Sequence, residues 1–223
     1  MIRILYLHGL PAASRAQQQS WLDELPAPFR ARLQRQQRPQ RLLQSLTGLQ
    51  LLQLAARRQG IESFSLAGLQ TTGQGKPWCD ALPGFSISHS AELVACALST
   101  EGPVGLDVEQ VRPIEPTRFA RTFNPDEQAW IGDSRTRFFE LWTRKEAVIK
   151  VSGEHGIAQM RQVELDGGRA RLHGRELHLM ALDLHPDYRA AIATATAPEK
   201  VETEQACFTD NTWSSGMITR TGS

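Results

Sequence analysis

The sequence predicts an α+β fold of two similar-sized lobes. Strand-like, helical and again strand-like patterns occur in both halves of the chain, and Ser99-Thr100-Glu101-Gly102-Pro103 interrupts the pattern between them. The length, 223 residues, suits one sizeable domain or two small ones sharing a core. The expected division is 1–100 for the first lobe and 101–197 for the second. Residues 198–223, polar and without periodicity, read as a weakly ordered tail.

In chain order, Ile2–Leu7 reads as a short buried strand. A helical stretch follows in which no acidic residue occurs between Leu25 and Ile61, while Arg30, Arg32, Arg35, Arg38, Arg41, Arg57 and Arg58 all fall there. Leu42, Leu43, Leu46, Leu49, Leu52 and Leu54 give it an apolar face, and Gly60 is a natural stop. The arginines suit either a solvated face or a surface for phosphate groups or an acidic partner. Gly68, Gly73 and Gly75-Lys76-Pro77 mark loops. Phe85–His89 alternates like a strand, and Leu93–Leu98 and Val104–Val108 read as two more. Asn124-Pro125-Asp126-Glu127 starts a helix, and Ser134 caps a longer one running to about Val151, with Gly153 past its end. The remaining strands are read at Gln162–Leu165, Ala170–His173, Glu176–Leu184 and Tyr188–Ala195.

Composition narrows the function by exclusion. A formal net charge of +1 gives no whole-molecule attraction to nucleic acid or membrane. Three scattered cysteines, Cys79, Cys96 and Cys207, with no C-x-x-C pair, support neither a disulfide framework nor a cysteine zinc site. No apolar run reaches the ~20 residues that span a bilayer, and the N-terminal apolar stretch is too short for a signal peptide. A cytoplasmic protein is expected.

Three acids stand out. On the strand Val104-Gly105-Leu106-Asp107-Val108-Glu109, a period of two puts Gly105, Asp107 and Glu109 on one face. Two carboxylates there call for solvent or a cation between them, and oxygen ligands of this kind suit Mg²⁺. Gly105 admits close approach of a ligand or another backbone. In the helix Arg137–Lys150, Glu146 shares a face with Phe139, Trp142 and Ile149, where an acid must be paired or metal-bound. Lys150, one turn on, is its nearest local partner. Ser88-His89 ends a strand.

Together these pieces resemble the 4′-phosphopantetheinyl transferases of the larger monomeric, surfactin-synthetase-activating type. The family pattern V/I-G-I/L-D-x-E stands here as Val104–Glu109. The pattern W/F-x-x-K-E-A/S-x-x-K stands as Trp142-Thr143-Arg144-Lys145-Glu146-Ala147-Val148-Ile149-Lys150. Gly75-Lys76-Pro77 followed by Phe85-Ser86-Ile87-Ser88-His89-Ser90 supplies a third motif, and the resemblance covers about residues 20–195.

The resemblance implies two pseudo-symmetric lobes, each a small antiparallel sheet packed with helices, with coenzyme A between them. It implies Asp107, Glu109 and Glu146 as ligands of Mg²⁺, with Mn²⁺ as an alternative. It implies phosphate contacts from Lys76, Ser88, His89 and Lys150, and a 3′-phosphate site drawn from Arg30, Arg32, Arg35 and Arg41. The implied reaction transfers phosphopantetheine to a serine of an apo acyl or peptidyl carrier protein, with Glu146, Lys150 and His89 as catalytic residues and a monomer as the working form.

Two other classes have some support in the sequence. Ile4-Leu5-Tyr6-Leu7-His8-Gly9 resembles the first strand and turn of some α/β-hydrolases, but the chain has no G-x-S-x-G nucleophile elbow. A non-catalytic module that docks an acidic partner would use the arginines alone; the intact acids and Lys150 argue against it.

Overall fold

The computed structural model describes residues 1–73, 76–153 and 156–221, with side chains as far as Ser214; Gly75, which opens the expected Gly75-Lys76-Pro77 turn, lies outside them. The chain divides into two compact units, Met1–Gly102 together with Pro198–Ser223, and Pro103–Ala197.

The first unit begins with β1 (Ile2–His8), α1 (Arg15–Asp23), α2 (Ala27–Gln34) and α3 (Pro39–Arg58). A two-residue pair, β2 (Gln70–Thr71) and β3 (Pro77–Trp78), precedes β4 (Gly84–Ser90) and β5 (Leu93–Ser99). The basic stretch read from sequence as helical is two helices, with Pro39 at the start of the second, where its missing N–H costs nothing. Every residue of β5 is buried, which explains its continuous apolar run. Helix α3 lies close on this sheet: a Cβ at Gly48 would overlap the Ile87 side chain of β4.

The second unit runs β6 (Val104–Gln110), α4 (Pro125–Ile131), α5 (Arg135–Ser152), α6 (Ile157–Met160), β7 (Glu164–Asp166), β8 (Arg169–Leu172), β9 (Arg175–Leu182) and β10 (Tyr188–Thr194). Its sheet order is β6-β10-β9-β8-β7, antiparallel throughout. Helix α4 starts on a reciprocal cap. Asn124 Oδ1 accepts from the Glu127 amide at 2.8 Å, and Glu127 Oε2 accepts from the Asn124 amide at 2.9 Å. Helix α5 starts at Ser134, whose Oγ accepts from the Arg137 amide, and ends at Gly153 in the left-handed region.

The tail reading is corrected. β11 (Val201–Thr209) and β12 (Thr212–Thr221) extend the first unit's sheet, giving the order β12-β11-β1-β5-β4. β11 runs parallel to β1, with Ile2 opposite Val201 and Tyr6 opposite Gln205, so this sheet is not wholly antiparallel as expected. The reason is a long-range ion cluster. Glu202 and Glu204, which make β11 look polar, are buried. Arg3 of β1 meets Glu202 at 2.9 Å and Glu204 at 3.4 Å, and Lys200 takes the other Glu202 oxygen at 2.6 Å. Buried carboxylates are tolerable only with such partners.

A second buried charge organises the other unit. Lys145 of α5 is fully buried, yet its Nζ is 2.8 Å from Glu127 of α4 and donates to the carbonyls of Met160 and Val163 at 3.1 Å each. Burial pushes this ammonium below its usual pKa, and Glu127 opposes that through a hydrogen bond and its charge. Lys145 thus joins α5 to α4, to the end of α6 and to the segment that follows it. Among the described residues no helix is long and apolar enough to cross a membrane.

Replacing Lys145 by Met leaves Glu127 buried without its cation. The expected loss, read from urea unfolding, is about 3–5 kcal/mol. A loss within experimental error would show that the pair holds nothing together.

Candidate active site

Helix α5 packs on β6 and β10. The contact is close because Gly105 has no side chain: a Cβ there would overlap the Ala147 carbonyl oxygen and lie 2.9 Å from the Val151 amide nitrogen. Gly105 therefore admits the helix backbone. On the same strand face, Asp107 and Glu109 continue toward the flank of α5 that carries Glu146 and Lys150.

The geometry follows from this packing. Lys150 Nζ donates to Asp107 Oδ1 at 2.7 Å and to the Leu106 carbonyl at 2.8 Å. Helical spacing alone names Glu146 as the partner of Lys150; the Lys150 charge does act on the Glu146 carboxyl, and its Nζ also bonds across to the strand. Asp107 is 5% exposed, whereas Glu109 and Glu146 are half-buried. Glu109 meets Arg112 at 2.7 Å, and the Arg112 guanidinium lies over the Phe139 ring at 4.9 Å.

Glu146 reports on the whole cluster. Burial holds its carboxyl above the usual range, and the charges of Asp107 and Glu109 raise it further while Lys150 lowers it. Three carboxylates are thus near enough to feel one another. Among the described residues, no group of three His, Cys, Asp or Glu side chains is already gathered as a metal cage. The donor chemistry nonetheless fits a hard divalent cation. All three ligands are oxygen, and a cation among them would favour the ionised form of each.

Other motif residues are structural. Trp142 stacks on Phe138 at 5.5 Å and meets Phe119 edge-on at 5.5 Å, fastening the 116–122 segment to α5. Lys145, to which no role was given from sequence, is the buried anchor described above. Its signal was present as a lysine amid buried helix positions, but its partners lie in three separate segments.

The remaining expected residues belong to the first unit. Ser88 is buried and His89 half-buried near the end of β4, opposite Ala95 and Val94. Gln44 of α3 donates to the Ala91 carbonyl at 2.6 Å, so the first half of α3 is fixed at the same end of the sheet as His89. Arg41 is exposed one turn before Gln44. Gln36 bonds Ser45 at 3.3 Å, bringing the end of α2, with Arg32 and Arg35, to the start of α3. The arginines differ in engagement. Arg30 pairs with Asp23 at 3.2 Å, Arg32 lies over Phe29 at 4.6 Å, and Arg35 is exposed where α2 ends. The Lys76 backbone closes a turn with Thr72, its amide donating to Thr72 Oγ1 at 3.1 Å and its carbonyl accepting from the Thr72 amide at 2.9 Å.

Comparison with known proteins bears on the same segment. Residues 103–197, which carry β6 and α5, match the sequence profile of the 4′-phosphopantetheinyl transferase superfamily. That segment of the chain is similar to the 4′-phosphopantetheinyl transferases. Similar proteins include 4′-phosphopantetheinyl transferase psf-1 of Bacillus pumilus, 33% identical over 60% of this chain and 64% of its own length. The transferase Sfp of Bacillus subtilis is 32% identical over 56% of this chain and 62% of its own length. The transferase AcpT of Salmonella typhi is 38% identical over 36% and 46%. The aligned part of this chain therefore spans less than two thirds of the length of these relatives. The superfamily segment coincides with the second unit, Pro103–Ala197.

Gly105→Ala is expected to force α5 off β6. The overpacking should lower stability by about 1–3 kcal/mol, measured by thermal unfolding. Unchanged stability would show that the helix can shift without cost.

Proposed function

We propose that the protein transfers the 4′-phosphopantetheine moiety of coenzyme A to a serine of an apo acyl or peptidyl carrier protein, releasing adenosine 3′,5′-bisphosphate. The observation that carries this reading is the Asp107–Glu109–Glu146 carboxylate group with Lys150 beside it, inside the segment that matches the superfamily. Sfp and psf-1, to which the chain is similar, are named as 4′-phosphopantetheinyl transferases, which supports this reading.

In this reading Asp107, Glu109 and Glu146 hold Mg²⁺, or Mn²⁺ in its place. When bound, the ion supplies charge neutralisation for a pyrophosphate. The carrier serine oxygen forms a bond to the β-phosphorus of coenzyme A, and the bond from that phosphorus to the bridging oxygen breaks. The departing bisphosphate keeps the electron pair. Glu146 accepts the serine proton. Lys150 and His89 offset the charge that develops on the phosphate oxygens. Lys76 and Ser88 hold the pyrophosphate. The exposed Arg35 and Arg41, with Arg30 and Arg32, offer positive charge to the 3′-phosphate. The work required is mostly positioning and neutralisation, as in phosphoryl transfer generally. The reading places the enzyme in the cytoplasm as a monomer. Its net charge of +1 gives no overall pull to nucleic acid or membrane.

Incubation with fluorescent coenzyme A and a panel of apo carrier proteins tests the reading directly. Label should pass to at least one carrier in the presence of Mg²⁺ and to none with chelator. Asp107→Ala should abolish transfer without unfolding the protein. Transfer near the wild-type rate by that variant would contradict the assignment. Lys150→Gln should lower kcat/KM by orders of magnitude. If it altered only stability, by about a surface pair's 0.3–0.5 kcal/mol, Lys150 would be no more than a structural partner of Asp107.

A further inference from the structure

Arg112 stands just past the end of β6, one short step beyond Glu109. Its Nη1 donates to Glu109 Oε2 at 2.7 Å and, more loosely, to the Gln110 carbonyl at 3.4 Å. The guanidinium carbon lies 4.9 Å from the centre of the Phe139 ring. Phe139 belongs to α5, is 2% exposed and meets Phe138 edge-on at 5.1 Å, so its ring is a fixed surface. The same helix carries Glu146 further along. The backbone beside Arg112 is fastened as well: the Val111 amide donates to the Asp187 carbonyl at 2.8 Å. One planar side chain therefore ties the strand carboxylate to the helix that bears Glu146.

Taken only as an ion pair, this contact is worth little. The Arg112 side chain is 47% exposed, and surface pairs of this kind add little to stability. Its placement is the informative part. Glu109 is less exposed, at 21%, and shares its strand face with Asp107. Its side chain has several staggered conformations to choose from, and the charges of Asp107 and Glu146 push its carboxylate away from them. The bond at Oε2 opposes both tendencies. It does not use up the group, because a carboxylate offers about four lone-pair sites. A second cation on this face is engaged elsewhere: Arg189 stands opposite Glu109 on β10, and its Nη1 donates to the carbonyls of Pro186 and Tyr188.

We propose that Arg112 is a positioning residue that acts through Glu109, holding that carboxylate in the orientation in which it receives a divalent cation together with Asp107 and Glu146. The inference rests on the metal role proposed above for these three acids. Two effects oppose each other. The Arg112 charge repels a nearby cation, while its bond orients a ligand for that cation. Solvent screens the charge at this exposure. Loss of a partner that orients a metal ligand typically costs about 10–100-fold in affinity. Orientation prevails, so removing Arg112 weakens metal binding.

The test is a titration of the full chain with Mn²⁺, read by the electron paramagnetic resonance of the unbound ion, with coenzyme A saturating and a protein-free mixture as baseline. Arg112→Gln should bind the ion about tenfold more weakly than wild type. Arg112→Lys keeps a donor and the charge but not the planar face, and should recover part of the loss. Thermal unfolding should shift by no more than about 2–4 °C, the worth of an exposed pair in a chain of this size. Affinity in Arg112→Gln equal to or tighter than wild type overturns the proposal and leaves the transfer reading standing. So does a lysine variant no better than the glutamine one, or a larger thermal shift, which would make Arg112 a brace of the fold. Asp107→Ala shows whether the measured ion sits among these acids. If that variant binds as tightly as wild type, or if wild type takes up no ion beyond the baseline at millimolar concentration, the metal reading itself fails and this proposal falls with it.

Discussion

The close contact of helix α5 with strand β6 at Gly105 is the constraint on which the candidate site depends. A side chain at that position would meet the helix backbone, so the helix can lie flat on the strand only over a glycine. The consequence is electrostatic. Asp107 and Glu109, two and four residues further along the strand, are held beside Glu146 and Lys150; burial first, then the charges of Asp107 and Glu109, make Glu146 harder to ionise, while Lys150 opposes them. A packing detail thus becomes a site property: the same contact that builds the unit's core gathers the carboxylates. Lys145 and Trp142 support the arrangement from the other sides of α5. One ties the helix to α4 and to the carbonyls of Met160 and Val163, and the other pins the 116–122 segment.

Much of this was legible because the determinants are local. The caps at Asn124 and Ser134, the glycine after α5, and the period-two alternation of β4 and β6 are written within a few residues of the elements they define. The order and spacing of the Val104–Glu109 and Trp142–Lys150 motifs carried the family resemblance. What could not be read depends on distant partners. Residues 201–209 look polar because Glu202 and Glu204 interrupt the pattern, yet both are buried against Arg3, some two hundred residues earlier. Lys145 finds its partners in Glu127 and the carbonyls of Met160 and Val163, none of which its local sequence names. Lys150 has an obvious neighbour one turn away, but its bond to Asp107 crosses to a strand more than forty residues earlier.

The two units carry different charge chemistry. The second gathers Asp107, Glu109 and Glu146 with Lys150 on a strand–helix pair. The first distributes arginines over two short-coupled helices, where some are already engaged: Arg30 with Asp23 and Arg32 with the Phe29 ring. The exposed Arg35 and Arg41 are less committed to local partners than Arg30, and they sit near the corner that α2 and α3 make. An acid-free stretch in the sequence is thus a graded surface in the structure.

The central claim is that packing at Gly105 brings the three carboxylates into one another's fields. The most direct measurement is the carboxyl pKa of Glu146, followed by ¹³C NMR in the wild-type protein and in Asp107→Asn, without divalent cation. Glu146 should titrate above the ordinary glutamate range in the wild type and move down toward it when the Asp107 charge is removed. A Glu146 that titrates as an ordinary glutamate in both proteins would contradict the account.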